Sequence, residues 1–121
     1  MSAVRHARLL RLTVLFAVAA TGSRATLAEP PGRADYLTYC APCHGAAGDG
    51  NGPLANMLTP RPARHTDAAT MSAIGDDDLL RLLNEGGPAL GKSPLMGAWG
   101  KLLGTQRIRE LLAYTRTLAV R

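Results

Sequence analysis

The clearest periodic pattern of apolar and polar residues lies near the C-terminal end of the chain. Apolar residues recur there at steps of three and four, with charged residues between them. This spacing places the apolar side chains on one face of an α-helix. Thr105 is placed to cap the helix, which is predicted to run to about Ala119. The predicted inward face holds Ile108, Leu111, Leu112, Tyr114, Thr115 and Leu118, and the outward face holds Arg107, Arg109, Glu110 and Arg116.

A second helix is predicted where three aspartates at positions 76–78 precede the leucine-rich stretch 79–83. Carboxylates in a first turn interact favourably with the positive end of the helix dipole. The helix is expected to end at the sequence Gly86-Gly87-Pro88, because glycine and proline interrupt helices.

A third helix is predicted over residues 32–38, with Tyr36 and Leu37 facing inward and Arg33 and Asp35 outward. The glycine- and proline-rich stretches 45–72 and 87–104 have no dependable period and are predicted as loops, with one short helical turn around residues 54–58. Strand patterns are nearly absent. The sequence therefore predicts an all-α fold of three to five helices with long loops.

The first 28 residues have the pattern of a secretory signal peptide. Arginines at positions 5, 8 and 11 precede a short apolar run at 12–20, and small residues precede the expected cleavage after Ala28. A membrane anchor is the alternative, but this run is well short of the roughly 20 apolar residues that a spanning helix needs. We therefore expect export to the periplasm, a linker at 29–31 and one domain at 32–121.

The net charge changes when this leader is set aside. The sequence has 14 basic and 9 acidic residues, a formal net charge of +5. Four of the arginines lie in the first 28 residues, whereas every acidic residue lies beyond them. The remaining chain is close to neutral, so its charge does not indicate a nucleic-acid partner.

The candidate chemistry lies in the motif Cys40-Ala41-Pro42-Cys43-His44. Two cysteines three positions apart with a histidine directly after them form the pattern of c-type haem attachment. One turn of backbone presents both sulfurs to one edge of a porphyrin, where they form thioethers, and His44 then binds the iron. A redox dithiol would be expected in a βαβ unit, and a zinc site needs four ligands. Beyond the motif only His65 remains to complete such a site, so both alternatives are disfavoured.

The second iron ligand has four candidates, namely Met57, Met71, Met96 and His65. Met96 is favoured because it lies 52 residues beyond His44, far enough for the chain to pass around the haem edge. Met57 lies only 13 residues beyond His44, and Met71 precedes a helix in which a packing role is natural. A thioether opposite histidine raises the reduction potential and suits electron transfer. An open position would instead suit a sensor or a peroxidase.

These features resemble the class I monohaem cytochromes c, and the resemblance covers residues 32–118. In that family a glycine and an aromatic residue of the first helix cross the last helix at an aromatic residue. Gly32, Tyr36 and Tyr114 match those positions. The resemblance implies a small cytochrome c fold, in which the helices and loops wrap around one covalently attached haem c.

The resemblance also implies further site residues. Gly52-Pro53 matches a pair whose backbone carbonyl accepts a hydrogen bond from the ligating histidine, so Pro53 is expected to contact His44. Met96 matches the methionine of the loop before the last helix. Trp99 matches the aromatic residue that follows it and is a candidate haem contact. Gly97 stands where the family usually has proline.

Two arginines are candidate partners for the haem propionates. Guanidinium groups pair well with carboxylates, and Arg61 and Arg64 lie in the loop that follows the motif. Ordinary solvated loop charges are an equally good interpretation of both residues.

The sequence thus predicts an electron carrier rather than an enzyme, with His44 and Met96 as axial ligands and redox proteins as partners. It would act as a monomer or within a larger assembly. The alternatives are a haem c subunit of a larger oxidoreductase complex, and a haem sensor or peroxidase with an open sixth position.

Overall fold

The computed structural model describes residues 27–119, and this range consists of helices and loops without a β-strand. Helix α1 covers residues 33–44, and it is followed by α2 (Ala68–Ser72), α3 (Asp76–Glu85) and α4 (Gly100–Thr117). Short 3₁₀ turns lie at Ala55–Met57 and Gly87–Leu90. The all-α prediction is confirmed. The predicted signal peptide lies almost wholly outside the described residues and stays a prediction.

Helix α1 is longer than predicted and carries the cysteine motif on its last turns. It consists of the α-helical residues Arg33–Asp35, a π-helical stretch Tyr36–Cys40 and a final α-helical turn Ala41–His44. The Ala41 N–H donates to the carbonyl of Tyr36, five residues earlier. Pro42 has no N–H, and its ring disfavours a regular α-helical turn immediately before it. The wider π turn lets the helix continue through the motif instead of ending before it.

Helices α1 and α4 cross at close range through a glycine. Gly32 has φ +81°, and a β-carbon built there would lie 2.2 Å from the carbonyl oxygen of Glu110. One turn further, the buried ring of Tyr36 packs edge-on against Tyr114, with centroids 5.3 Å apart. The expected crossing of the first and last helices is therefore present, and only glycine fits at its contact point.

Helices α3 and α4 supply most of the core. Leu79, Leu82 and Leu83 of α3 are buried, as predicted, and α3 begins at Asp76 and ends before Gly86. Helix α4 begins earlier than predicted, at Gly100, but Gly104 has non-helical angles of φ 75° and ψ 168°. The straight part therefore follows Gly104, close to the predicted start. No helix within residues 27–119 is long and apolar enough to cross a membrane.

Helix α2 was not predicted from the sequence. Its N-cap is Asp67, whose carboxylate accepts hydrogen bonds from the backbone N–H groups of Ala69 and Thr70 at 3.0 and 3.4 Å. Aspartate is a favoured residue for this capping position. Because α2 has only five residues, it is too short to show a helical period, and the cap is its one local signal.

Arg116 was predicted to face water, but its side chain is about three-quarters covered and its guanidinium group joins α4 to the segment before α3. It donates to the carbonyl of Ile74 at 2.7 Å, to the carbonyl of Met71, and to the Asp76 carboxylate at 2.9 Å. The aliphatic stem of arginine lets the charged end reach past the apolar face of a helix.

Replacing Arg116 with alanine should lower the free energy of unfolding by about 2 kcal/mol, because two carbonyl groups lose a charged donor. Urea denaturation of the haem-containing protein measures this loss. Arg109 is exposed on the same helix, so Arg109→Ala is the matched control and should stay within about 0.5 kcal/mol of the parent. Equal losses in both variants would contradict the role given to Arg116.

Candidate functional site

The two cysteines of the motif lie at the end of α1 and do not form a disulfide with each other. Cys40 is buried and Cys43 is partly exposed. Burial, with smaller contributions from Asp35 and Cys43, raises the pKa of the Cys40 thiol to about 12. A redox-active cysteine instead needs a lowered pKa, so the dithiol alternative is disfavoured. Within residues 27–119 no group of three or more His, Cys, Asp and Glu side chains could hold a metal ion, so the zinc alternative has no ligand set there.

A glycine-rich loop folds back over the end of α1. The N–H groups of Gly50 and Gly52 donate to the carbonyls of His44 and Cys43 at 2.8 and 3.2 Å, and the Leu54 N–H donates to Pro42 at 2.9 Å. These carbonyls have no partner within the helix itself, because they belong to its last turn. The loop therefore satisfies the backbone of the motif and fixes its position.

His44 is oriented by a hydrogen bond from its ring to the backbone. Its Nδ1 lies 2.9 Å from the carbonyl oxygen of Ala63. A carbonyl can only accept, so Nδ1 carries the proton and the lone pair of Nε2 is left for a metal. Burial lowers the pKa of His44, although the bond to Ala63 acts in the opposite direction. The bond to Ala63 therefore sets the tautomer that iron ligation through Nε2 requires, and burial favours the neutral form of the ring.

The structure differs from the prediction that Pro53 supplies this carbonyl. A β-carbon at Gly52 would lie 2.4 Å from the carbonyl oxygen of Pro42, so the chain passes α1 in direct backbone contact. This contact leaves Pro53 beside Leu37 and Pro42 on the flank of α1. The chain reaches the ring of His44 only later, at Ala63.

His65 lies over the face of His44 rather than opposite it. The two rings are stacked with centroids 4.2 Å apart and planes 19° apart. A ligand on the far side of the iron would lie along the Nε2 lone pair, in the plane of the His44 ring. In this arrangement His65 therefore does not occupy the position opposite His44.

The three methionine candidates have different surroundings. Met57 is 72% exposed, whereas Met71 is 5% exposed and belongs to the core. Met96 is partly buried against that core, in a loop whose backbone is held by a 2.9 Å bond from the Gly87 N–H to the Met96 carbonyl. A β-carbon at Gly87 would lie 1.9 Å from the carbonyl oxygen of Ser93, so the loop packs directly on the glycine backbone. This fixed, half-buried position supports Met96 as the second ligand, which stays a prediction.

Trp99 folds back over the residue that follows Met96. A β-carbon at Gly97 would lie 3.0 Å from Cζ2 of the indole ring. The packing of Trp99 therefore accounts for glycine where the family usually has proline. The ring also lies 5.0 Å from that of Tyr39, the residue before the cysteine motif.

The indole Nε1 of Trp99 is buried and, among the described residues, has no hydrogen-bond partner within the protein. Buried donors of this kind almost always have an acceptor. A haem group carries two carboxylates, which are acceptors for a donor of this kind. The unpartnered indole therefore fits the predicted contact between Trp99 and haem.

Arg61 and Arg64 are both exposed. Arg61 donates to the side-chain oxygens of Asn56 and Asn51 at 2.9 and 3.2 Å, and the side chain of Arg64 packs beside Gly50. Their pairing with haem propionates stays a prediction.

Sequence reasoning missed the contribution of Ala63, because the group that contacts His44 is a backbone carbonyl that every residue possesses. It also assigned His65 only as a candidate ligand. Its contact with Tyr36, 29 positions earlier, has no local signal in the sequence.

One comparison identifies a family. A family model described as cytochrome C oxidase, cbb3-type, subunit III matches residues 28–114. The matched range includes the cysteine motif, the methionine loop and most of α4. No curated protein matches the chain.

Proposed function

Because the chain belongs to the cytochrome c family, in the group described as cytochrome c oxidase, cbb3-type, subunit III, we propose that it is a periplasmic protein that carries one electron on a His/Met-ligated haem. The family implies a covalently bound haem c, which supplies the one-electron chemistry of iron. Cys40 and Cys43 would hold the haem through thioethers, and Nε2 of His44 and the sulfur of Met96 would bind the iron. The hydrogen bond from Nδ1 of His44 to Ala63 is the observation that carries the proposal.

The protein groups around the site suit an electron carrier. The bond to Ala63 keeps His44 in one tautomer and one position, so little rearrangement would accompany a change in iron charge. With Met96 as the second ligand, both axial positions are filled and no position is left open for a substrate. Partial burial of Met96 and Trp99 limits the access of water, which also helps to set the potential.

Periplasmic location is supported by the arginines at 5, 8 and 11 and by the apolar run at 12–20. Cleavage after Ala28 would leave a chain that begins at Glu29, immediately before the prolines that lead into α1.

A second candidate function is that of a permanent haem subunit in a larger oxidoreductase. The matching family is described as an oxidase subunit. The large exposed apolar side chains among the described residues include Leu54 at 41%, Met57 at 72%, Leu95 at 66% and Leu102 at 60%. Exposed residues of this kind are ordinary when they lie singly, so the family description is what supports this candidate.

An optical redox titration of the protein, produced with its own leader and recovered from the periplasmic fraction, tests the proposal. We expect a low-spin haem c that titrates as a one-electron couple, with a slope of about 59 mV per tenfold change in the oxidised-to-reduced ratio. A colourless folded protein, or rapid binding of carbon monoxide by the reduced form at neutral pH, would contradict the proposal. Recovery in a stable complex of much larger mass would favour the subunit over the free carrier.

A further inference from the structure

His44 is contacted from two directions by one short segment. Ala63 accepts the hydrogen bond from Nδ1 at the edge of the ring, and His65, two residues later, covers the face of the ring at a centroid distance of 4.2 Å. An in-plane hydrogen bond restrains the tilt of an imidazole. A flat ring stacked on its face restrains rotation about the axis of the Nε2 lone pair, so the two contacts are complementary.

His65 is itself held in place by α1 and the glycine loop. Its Nδ1 lies 2.9 Å from Oη of Tyr36, whose side chain is completely buried. The adjoining N–H of Thr66 donates to the carbonyl of Gly48 at 3.1 Å. A β-carbon at Gly48 would lie 3.1 Å from Cβ of His65, so the loop backbone packs directly beneath this side chain.

A histidine at position 65 provides something that a phenylalanine would not. Both residues offer a flat ring, but only histidine can form the bond to Tyr36 that fixes the rotation of the ring itself. The result is a series of three rings, in which Tyr36 fixes His65 and His65 lies against His44.

We propose that His65, held by Tyr36, is a positioning residue that sets the rotation of the His44 imidazole about its bond to the haem iron. Groups that orient a metal-binding histidine tune both its geometry and the metal. This inference rests on His44 as the iron ligand, which is part of the proposed function. It assigns to His65 a role on the same side of the haem as His44.

Proton NMR of the ferric haem-containing protein tests the inference, because the order and spread of the haem methyl shifts depend on the orientation of the axial ligand planes. We expect His65→Ala to change that order or spread, since the stack is lost. His65→Phe keeps a flat ring and should give a smaller change, which Tyr36→Phe should reproduce. The double variant should add nothing to Tyr36→Phe, which already loses both the bond to His65 and the bond from the hydroxyl to the carbonyl of Gly45 at 3.3 Å.

Tyr114→Phe is the matched control. It removes the hydroxyl of a ring that packs against Tyr36 but not against either histidine, so it should give the parent methyl pattern. A parent pattern in His65→Ala would overturn the proposal even if that variant melted earlier, since a packing role alone would lower stability without rotating the ligand. Unchanged methyl patterns in both His65→Phe and Tyr36→Phe would show that the hydrogen bond between Tyr36 and His65 does not affect the orientation of His44.

Two outcomes separate this inference from the proposed function. A parent protein without a low-spin haem would contradict the proposed function itself. Loss of the low-spin spectrum in His65→Ala alone would overturn the inference and also change the ligand set of the proposed function, because it would make His65 an iron ligand. A normal parent with unchanged variants would also contradict the inference and leave the electron-carrier proposal intact.

Discussion

Replacement of Met96 with alanine should lower the reduction potential by roughly 0.2 V or more, a sizeable part of the ~0.8 V range that axial ligands set in haem proteins. The thioether favours ferrous iron, and its loss removes that preference. The reduced variant should also bind carbon monoxide rapidly, because the sixth position is then open. Redox titration and the optical spectrum of the carbon monoxide complex measure both effects.

The two other methionines provide controls that separate ligation from packing. Met57 is 72% exposed, so Met57→Ala should leave the potential and the stability unchanged. Met71 is buried in the core, and Met71→Ala should cost about 3 kcal/mol of unfolding free energy while the spectrum stays that of the parent. If Met96→Ala keeps the spectrum and potential of the parent and the potential changes in one of the two controls, that other methionine is the second iron ligand.

Replacement of Gly32 with alanine should destabilise the protein by about 4 kcal/mol or more, a loss that single substitutions reach only through a severe local conflict. A β-carbon there meets the carbonyl oxygen of Glu110 at 2.2 Å, and the φ of +81° is itself unfavourable for alanine. The helices α1 and α4 would have to move apart. Chemical denaturation of the haem-containing protein gives the magnitude.

Two other glycines separate the cost of the positive φ from the cost of the close contact with Glu110. Gly91 has φ +64° but nothing within 4 Å of a built β-carbon, so Gly91→Ala should show the backbone term alone, about 1–2 kcal/mol. Gly75 has an ordinary φ of −70° and open space, so Gly75→Ala should be close to neutral. If Gly32→Ala costs no more than Gly91→Ala, the close contact between the helices is not the cause.

The parts of the fold that were predicted are those with a strong local signal. The aspartates at 76–78 and the leucines after them defined α3 to the residue, and the period of residues 108–118 defined the straight part of α4. The crossing at Gly32 was inferred from the family resemblance, and the backbone contact with Glu110 explains why glycine is needed there.

The parts that were not predicted depend on contacts between distant segments. Ala63 acts through its backbone, so no residue type marks it. Pro53 was expected in its place from the family resemblance, and the path of a glycine-rich loop cannot be deduced from composition. Arg116 was assigned to solvent by the period of α4, yet its long side chain reaches the carbonyls before α3. The stack of His65 on His44 depends on the loop around Gly48, whose carbonyl accepts a hydrogen bond from the N–H of Thr66.

The division of the site between two parts of the chain has a thermodynamic consequence. Residues up to 65 would supply the thioether anchors and the imidazole, whereas the loop at 91–99, which is hydrogen-bonded to Gly87, would supply the proposed sulfur ligand. If that sulfur binds ferrous iron more tightly than ferric iron, a closed cycle of reduction and unfolding requires the reduced protein to be harder to unfold than the oxidised one. Reduction would therefore strengthen the link between the N-terminal and C-terminal parts of the fold, and oxidation would weaken it.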